Sequence, residues 1–341
     1  MITFQERVNL APFNTFGVTE YARWFTRIEK PVQIPALLQH ALFSSGPHLI
    51  LGGGSNVLFT RAFEGLIIRI ELAGIKVIRE DNEYVWIKAA AGENWHKLVM
   101  FCVQNNYGGI ENLSLIPGTA GAAPIQNIGA YGVELTEVLE EVEGFDLTTG
   151  STHTLSAADC RFGYRDSIFK HELKEKFLIS SITLRLTRRN HRLRTSYGAI
   201  TDTLKSLNIS QPTIQDISKA VIQIRTSKLP DPQQLGNAGS FFKNPVIESK
   251  HYHLLKEKHP DMPGFIIDSQ QVKIPAAWLI EQCGWKGKRF GDAGVHVHQP
   301  LVLVNYGRAT GKEILQLAHQ IHDSVVDKFN IDLQTEVNII G

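Results

Sequence analysis

The sequence is poor in cysteine and in net charge, and each shortage excludes a class of protein. Its 341 residues contain three cysteines, Cys102, Cys160 and Cys283, which lie far apart and form no C-x-x-C pair. We therefore expect reduced, structural thiols and neither a zinc knuckle nor a disulfide framework. The formal net charge of +1 gives no basis for a nucleic-acid partner or for attraction to an anionic membrane.

Long apolar runs are also missing. No run approaches the ~20 apolar residues that a transmembrane helix requires. The N-terminal segment carries Glu6 and Arg7 and has no long apolar core, so we expect no signal peptide and a soluble, cytoplasmic protein. A composition of 43% hydrophobic and 20% charged residues is typical of a globular protein. A chain of 341 residues exceeds one ordinary core and predicts two or three domains.

The most informative segment is LGGGSNVLF, residues 51–59, which directly follows a short apolar run. Its three glycines, followed by Ser55 and Asn56, allow positive φ and let several amides point into one space. Such an array binds phosphate or pyrophosphate. No Lys-Ser/Thr pair follows as in a P-loop, and the glycines do not have G-x-G-x-x-G spacing. The alternative is a tight loop without a ligand.

A second loop of small residues is IPGTAGAAPIQNIGAYG, residues 116–132. Its glycines and alanines would let the backbone lie flat against a large planar or charged ligand. Surface loops are usually polar. Because Ile116, Ile125, Ile128 and two prolines make this loop apolar, we expect it to be buried against another group.

The pattern of short strands and helices predicts an α+β fold with mixed sheets and not a doubly wound Rossmann domain. Apolar residues recur with helical spacing over residues 35–45 and 94–106, and the segment 142–155 is typical of a hairpin turning at Thr149-Gly150. A helix near residues 216–226 is stopped by Pro230. The polar stretch 187–198 reads as an exposed connection. The last third reads helix, strand, helix, with a final strand.

Seven segments together resemble a known family, the UDP-N-acetylenolpyruvoylglucosamine reductases. These are FAD enzymes that make UDP-N-acetylmuramate for bacterial peptidoglycan. The resemblance runs from about residue 10 to the C-terminus, and the seven segments occur in the family's order. They are NTFG (14–17), LGGGSNVLF (51–59), AGENWHKLV (91–99), IPGTAGAAPIQNIGAYG (116–132), CRFGYRDSIFK (160–170), KLPDP (228–232) and GNAGSFFKNP (236–245).

This resemblance implies a fold and a domain division. The fold is the vanillyl-oxidase-type (PCMH-like) FAD-binding fold of two subdomains, followed by a C-terminal α+β substrate domain. We expect FAD-binding subdomain 1 at residues 1–70, joined by the C-terminal strand 330–341. Subdomain 2 is expected at 71–200 and the substrate-binding domain at 201–329.

The resemblance also implies the residues that bind FAD without a covalent bond. The pyrophosphate is expected at Gly53, Gly54, Ser55 and Asn56. The flavin is expected against the second loop, and Tyr164 and Arg225 could also approach it. The loop positions are Gly118, Thr119, Ala122, Ile125 and Gly129. One departure is visible, because Ala122 and Ala123 follow Gly121 where many family members have a second glycine.

The implied reaction sets the catalytic requirements. Hydride addition to the enolpyruvyl ether leaves an enolate beside a carboxylate, so the site needs a cation, an acid and a placed proton donor. Arg165 can present a fork of donors to the carboxylate; its alternative is an ordinary salt bridge to Asp166. Ser240 is the implied proton donor; its alternative is a turn or capping serine. Glu336 would help to stabilise the enolate if burial raised its pKa; its alternative is a solvated terminal charge.

Four polar residues are implied as substrate contacts. Lys228 and Asn244 match family positions near the UDP diphosphate, Tyr197 matches a loop tyrosine of one subclass, and Gln299 matches a further polar contact. Each has an ordinary surface role as its alternative. The implied small-molecule partners are UDP-N-acetylglucosamine enolpyruvate and NADPH, with NADPH implied by the resemblance alone, and we expect a monomer.

Three other functions compete with this prediction. An FAD-dependent oxidase of an alcohol or sugar would share the glycine loops, and it often holds flavin covalently through His or Cys. His96 and Cys102 are near the loops in sequence, so attachment is disfavoured but stays open. A binding module for nucleotide sugars would carry no flavin. A metal enzyme is weaker still, because His296 and His298 lack partners at ligand spacing.

Overall fold

The computed structural model describes residues 2–341, which contain twenty strands and eight helices. The strands are β1 Phe4–Asn9, β2 Tyr21–Ile28, β3 His48–Leu51, β4 Val57–Phe59, β5 Phe63–Ile70, β6 Ile75–Glu80, β7 Tyr84–Ala90, β8 Gly129–Ala130, β9 Val133–Glu134, β10 Leu139–Asp146, β11 Thr152–Ser156, β12 Phe177–Thr187, β13 Gly236–Ser240, β14 Val246–Glu248, β15 Phe265–Ile266, β16 Gln271–Lys273, β17 Arg289–Phe290, β18 Ala293–Val295, β19 Val302–Asn305 and β20 Asn338–Ile340. The helices are α1 Gln33–Leu38, α2 Ala41–Ser44, α3 Trp95–Gln104, α4 Gly198–Ser206, α5 Ile214–Lys228, α6 Ser249–Lys258, α7 Ala276–Gln282 and α8 Gly311–Phe329. No helix within this described range is both long and apolar enough to cross a membrane.

The chain forms two compact units, which are described separately. The first unit comprises residues 2–8, 22–53 and 64–227. The second comprises residues 9–21, 54–63 and 228–341. The division into three domains predicted from the sequence stays a prediction.

Two sheets make up most of the first unit. One has the strand order β1-β2-β5-β3, in which β3 and β5 are parallel. The other has the order β11-β10-β12-β7-β6 and is antiparallel throughout. The predicted hairpin is confirmed, because β10 and β11 pair antiparallel and Gly150 in the turn has a φ of +74°.

Helix α3 shows why the first unit folds as it does. Its predicted apolar stripe is buried in the core. Its N-terminus is capped by Asn94, whose side chain accepts a hydrogen bond from the amide of Lys97. The indole of Trp95 donates to the carbonyl of Leu113 at 3.0 Å, so its one polar atom is satisfied inside the core. This helix therefore provides a rigid base for the loops that follow it.

The second unit is built on three small sheets around a separate core. Their strand orders are β13-β19-β18-β17, β14-β16-β15 and β20-β4. Helix α8 buries one face in this core, from Ile314 to Phe329. Its first turn is closed by reciprocal hydrogen bonds between Thr310 and Glu313. The last strand, β20, lies parallel to β4.

Two predicted elements differ from the structure. The continuous helix expected over residues 35–45 is two short helices, because His40 is extended and caps α2 instead of continuing α1. The connection 187–198 is only partly exposed. Within it, Nδ1 of His191 hydrogen-bonds the hydroxyl of Thr187 at 2.7 Å, and His191 is half-buried. The segment 236–240, for which no element was predicted, is a strand.

Candidate active site

In the first unit, the two glycine segments meet at their backbones. Strand β3 ends at Leu51, and the chain turns away through Gly52 and Gly53. A Cβ atom placed on Gly53 would lie 2.8 Å from the Cα of Gly118. One placed on Gly52 would lie 2.7 Å from Oγ1 of Thr119. Since ordinary carbon contacts are about 3.5–4.0 Å apart, only glycine allows the two segments to approach this closely.

The second loop is also fixed to the start of α3. The carbonyl of Gly118 accepts a hydrogen bond from the amide of Trp95 at 3.1 Å. The amide of Gly121 donates to the carbonyl of Ala91 at 2.9 Å, and a Cβ on Gly121 would lie 2.5 Å from the Cβ of that alanine. Gly121 is therefore required by packing, whereas Ala122 occupies its position without such a conflict. The departure at Ala122 leaves the loop intact.

These loops provide a cradle that fits a flavin nucleotide. The side chain of Thr119 is buried, and its Oγ1 has no hydrogen-bond partner within residues 2–341. A buried hydroxyl without a partner costs free energy, so a ligand atom at this position would satisfy it. The close contact of Gly53 with Gly118 brings the first glycine segment beside Thr119. The predicted FAD residues Gly53, Gly118, Thr119 and Ala122 are thus brought together.

Arg165 lies against the same loop. Its Nη2 donates to the carbonyl of Gly129 at 2.7 Å, and its guanidinium carbon is 5.4 Å from the ring centroid of Tyr164. Arg165 has a φ of 54°, an uncommon conformation for a bulky residue. Asp166, the alternative partner considered from the sequence, has its carboxylate bonded to His171 at 2.8 Å. The predicted cation is therefore held beside the loop residue Gly129.

Asn127, in the second loop, and Glu134, just after it in β9, were not predicted as site residues. The buried Nδ2 of Asn127 donates to Oε2 of Glu134 at 2.8 Å, and its Oδ1 accepts from the amide of Thr136. Asn127 has a φ of 42°. An asparagine in an otherwise apolar loop, seven residues before an acid, was the available signal. The carbonyl of Ile125, another predicted loop residue, accepts from the hydroxyl of Ser167 at 2.6 Å.

Arg225 and Tyr197 meet around a third residue, Tyr131. Arg225 Nε donates to the carbonyl of Leu115 at 3.2 Å, and its side chain also interacts with the hydroxyl of Tyr131. Burial lowers the pKa of Arg225, an effect that its interaction with Tyr131 opposes. The rings of Tyr131 and Tyr197 are 5.3 Å apart and lie edge to face at 83°. Tyr131 was not predicted as a site residue.

In the second unit, Ser240 and Glu336 are brought together by the backbone. Ser240 ends β13 and pairs with Val302 across a bulge that contains Gly239, which has a φ of +72°. The amide of Glu336 donates to the carbonyl of Phe241 at 2.8 Å, directly after Ser240. Both carry half-buried side chains, whereas Phe241 is fully buried. The apolar neighbour therefore anchors the serine while leaving it accessible.

Gln299 and Asn56 join the same part of the second unit. Gln299 begins the turn before β19, where its carbonyl accepts from the amide of Val302, the partner of Ser240. The side chain of Asn56 donates to the carbonyl of Glu336 at 3.1 Å. Two predicted binding residues thus lie beside the predicted catalytic pair.

The remaining predicted residues of the second unit have local roles. Gly54 has a φ of +64°, and a Cβ there would overlap the carbonyl of Phe13. Ser55, which follows it, is half-buried. Asn244 Oδ1 accepts from the amide of Ala276 at 2.9 Å and so caps α7. Lys228 is exposed at the end of α5.

The histidine pair considered as a metal site gains no ligands from the fold. The rings of His296 and His298 lie 5.6 Å apart, edge to face. Burial lowers the pKa of His296, and His298 lowers it further. Within the described part of the chain, no group of three or more His, Cys, Asp or Glu side chains could hold a metal ion.

Comparison with known proteins identifies both halves of this arrangement. Residues 24–156 match the FAD binding domain family, and residues 231–340 match the C-terminal domain of UDP-N-acetylenolpyruvoylglucosamine reductase. Curated UDP-N-acetylenolpyruvoylglucosamine reductases are 47% identical in Flavobacterium johnsoniae and 50% identical in Chromobacterium violaceum. The first alignment covers 98% of this chain and 99% of the relative, and the second covers 99% of each.

A solved structure shows the same fold. The crystal structure of UDP-N-acetylenolpyruvylglucosamine reductase from Thermus caldophilus matches with a TM-score of 0.69 and 23% identity, covering 100% of both chains. The predicted fold class, an α+β vanillyl-oxidase-type FAD-binding fold with a C-terminal α+β domain, is confirmed.

The glycine cradle and the FAD-domain match define the chain as an FAD-dependent oxidoreductase. With full-length relatives at 47–50% identity, it belongs to the UDP-N-acetylenolpyruvoylglucosamine reductase family.

Proposed function

We propose that this chain reduces the enolpyruvyl ether of UDP-N-acetylglucosamine enolpyruvate to UDP-N-acetylmuramate with NADPH, a cytoplasmic step of peptidoglycan synthesis. Family membership supports the reaction. The observation that carries the chemistry is the placement of Ser240 beside Glu336 and the Gln299 turn. We propose that the enzyme acts as a monomer on these small molecules.

When bound, FAD would supply hydride transfer from NADPH to the terminal carbon of the enolpyruvyl group. The chain would hold the cofactor where the first glycine segment meets Gly118 and Thr119, whose buried hydroxyl has no hydrogen-bond partner within residues 2–341. We propose that the other predicted cofactor residues complete this surface. They are Gly54, Ser55, Asn56, Ala122, Ile125, Gly129 and Arg225.

Three side chains act on the substrate in this proposal. Ser240 donates its hydroxyl proton to the carbon next to the carboxylate. Because a serine is a weak acid, it can protonate only a strongly basic carbon such as an enolate. Arg165 pairs with the substrate carboxylate, and Glu336, in its protonated form, donates a hydrogen bond to the enolate as the negative charge develops. The role of Glu336 is supported by the hydrogen bond from its amide to the carbonyl of Phe241, the residue after Ser240.

Four further residues are proposed to bind substrate, namely Tyr197, Lys228, Asn244 and Gln299. Of these, Gln299 has the strongest support, because its turn is bonded to the strand partner of Ser240. We also propose the three-domain division given above, which places Lys228, Asn244 and Gln299 in the substrate domain.

The flavin is proposed to be non-covalent. Cys102, a candidate for attachment, is fully buried, and burial raises the pKa of its thiol to about 12. Such a thiol has little thiolate character. The other candidate, His96, accepts a hydrogen bond on Nδ1 from the amide of Leu115 at 3.0 Å. Denaturation should therefore release the flavin, whereas the competing oxidase often retains it.

The deciding experiment separates the two half-reactions of a Ser240→Ala variant under anaerobic conditions. NADPH should reduce the flavin at the wild-type rate, because the serine is not needed for that step. Reoxidation by the enolpyruvyl substrate should slow about 10²- to 10⁴-fold, the range for loss of a placed proton donor. Ser249→Ala provides a matched serine control in the same unit.

Two outcomes would contradict the proposal. Unchanged reoxidation in Ser240→Ala would remove the proton-donor role. If the wild-type reduced flavin were reoxidised only by oxygen and not by the enolpyruvyl substrate, the oxidase alternative would replace the proposed reaction.

A further inference from the structure

Tyr131 occupies a backbone conformation that a tyrosine rarely adopts. It lies with Gly132 at the turn between β8 and β9, and both residues have positive φ, 51° and 78°. A two-residue turn of this kind favours Asn-Gly, because both central residues must be left-handed. This conformation is strained for a tyrosine, because it brings Cβ too close to the following carbonyl oxygen. Strain of this kind calls for a compensating interaction.

Tyr131 is held by three contacts, two through its side chain and one through its backbone. Its hydroxyl lies close to the half-buried side chain of Arg225, which is itself fixed to the carbonyl of Leu115. Its ring packs against the small core formed by α4 and α5. Its backbone carbonyl accepts from Nδ2 of Asn112 at 3.1 Å. Side chain and backbone are therefore both constrained.

The same asparagine connects Tyr131 to the segment that carries Tyr197. Nδ2 of Asn112 also donates to the carbonyl of Arg194 at 2.9 Å. Arg194 in turn pairs with Glu137 at 3.1 Å. These bonds align the backbone before Tyr197, but the tyrosine itself is 52% exposed and begins α4. The edge-to-face contact with Tyr131 is thus what orients its ring.

We propose that Tyr131 is a positioning residue that holds Tyr197 ready for substrate, with Arg225 fixing the ring of Tyr131. This inference rests on the proposed function, in which Tyr197 binds substrate. Aromatic pairs of this geometry contribute beyond their buried area, and the usual range corresponds to about 2- to 10-fold in an equilibrium. Without this contact, the side chain of Tyr197 would have to be ordered when substrate binds, and this loss of conformational freedom would weaken binding.

The test uses three single variants and one double variant of the FAD-loaded enzyme. Tyr131→Asn removes the ring but suits the positive φ, so the turn should persist. Tyr131→Phe keeps the ring, and Tyr197→Leu removes the other partner. The double variant combines Tyr131→Asn with Tyr197→Leu. Hydrogen exchange of residues 193–204 is followed without substrate, and KM is then measured for the enolpyruvyl substrate.

Exchange should accelerate about 2- to 10-fold in Tyr131→Asn, with Tyr131→Phe close to wild type. In the double variant, Tyr131→Asn should accelerate exchange little beyond the rate of Tyr197→Leu alone. KM for the enolpyruvyl substrate should rise by a similar factor in Tyr131→Asn, while flavin reduction by NADPH keeps its rate. A purely structural role of Tyr131 would not give this separation.

Two results would overturn the inference. Equal effects of Tyr131→Asn in the presence and absence of the Tyr197 ring would show that the two rings do not cooperate. Coupled exchange with an unchanged KM would show a structural contact with no role in substrate positioning. The exchange arm needs no substrate, so it stands even if the Ser240→Ala experiment rejects the proposed reaction.

Discussion

The contact between the two glycine segments gives a quantitative prediction for Gly53→Ala. The new methyl group would lie 2.8 Å from the Cα of Gly118, which is 0.7–1.2 Å short of an ordinary carbon contact of about 3.5–4.0 Å. Both partners are backbone, so no flexible side chain can yield. The segments must separate, at a cost of about 1–3 kcal/mol.

If that cost falls on the cofactor site, FAD affinity should fall about 5- to 150-fold, since 1.4 kcal/mol is a factor of ten. Titration of apo-protein with FAD, followed by flavin fluorescence, gives the affinity, and denaturant unfolding of the same apo-protein gives the stability. Gly46→Ala is the matched control, because a Cβ there meets no atom within 4 Å. Wild-type FAD affinity together with wild-type stability in Gly53→Ala would refute the packing argument.

Three further predictions concern stability and thiol chemistry. Thr310→Ala should lower the free energy of unfolding by about 1 kcal/mol in a denaturant titration, because it removes the reciprocal cap of α8; an unchanged value would show that the cap contributes nothing. Hydrogen bonds to Asp323 and Asp332 raise the pKa of His322 above its ordinary 6.5, so its stabilisation is fully present below about pH 6.5 and is lost as pH rises through the folded value. His322→Gln should therefore lower the free energy of unfolding by at most about 1 kcal/mol, and by more at pH 6 than at pH 9. A larger loss at pH 9 would contradict a raised pKa of His322. Burial raises the pKa of Cys102 to about 12, so a thiol reagent should label it only after unfolding, and labelling of the native protein at Cys102 would reject that burial.

Several elements followed directly from local sequence. The apolar spacing of α3 and the capping side chain of Asn94 are local signals, and both are present in the structure. Pro230 likewise ends α5 at Lys228, because the residue before a proline disfavours helical geometry. Local pattern was misleading at His40, where an extended backbone divides one predicted helix into two.

Strand β13 shows what local propensity cannot supply. Gly236–Ser240 contains glycine and asparagine, which are depleted in strands, so its sequence reads as a loop. It is a strand because β19 offers it hydrogen-bonding partners 62–69 residues away, with Asn305 opposite Gly236 and Val302 opposite Ser240. Pairing over that distance depends on the whole second unit, and no short window of sequence contains it.

The same distinction applies to the candidate site. Residue types alone indicated the available chemistry, because glycines, a serine and an arginine in seven ordered segments resemble an FAD-dependent reductase. Tertiary structure decided which of these residues meet. Gly53 reaches Gly118, and Glu336 reaches the residue after Ser240, across 65 and 95 positions respectively. The role proposed for Tyr131 could be recognised only from its contacts in the structure, because residue identity does not encode them.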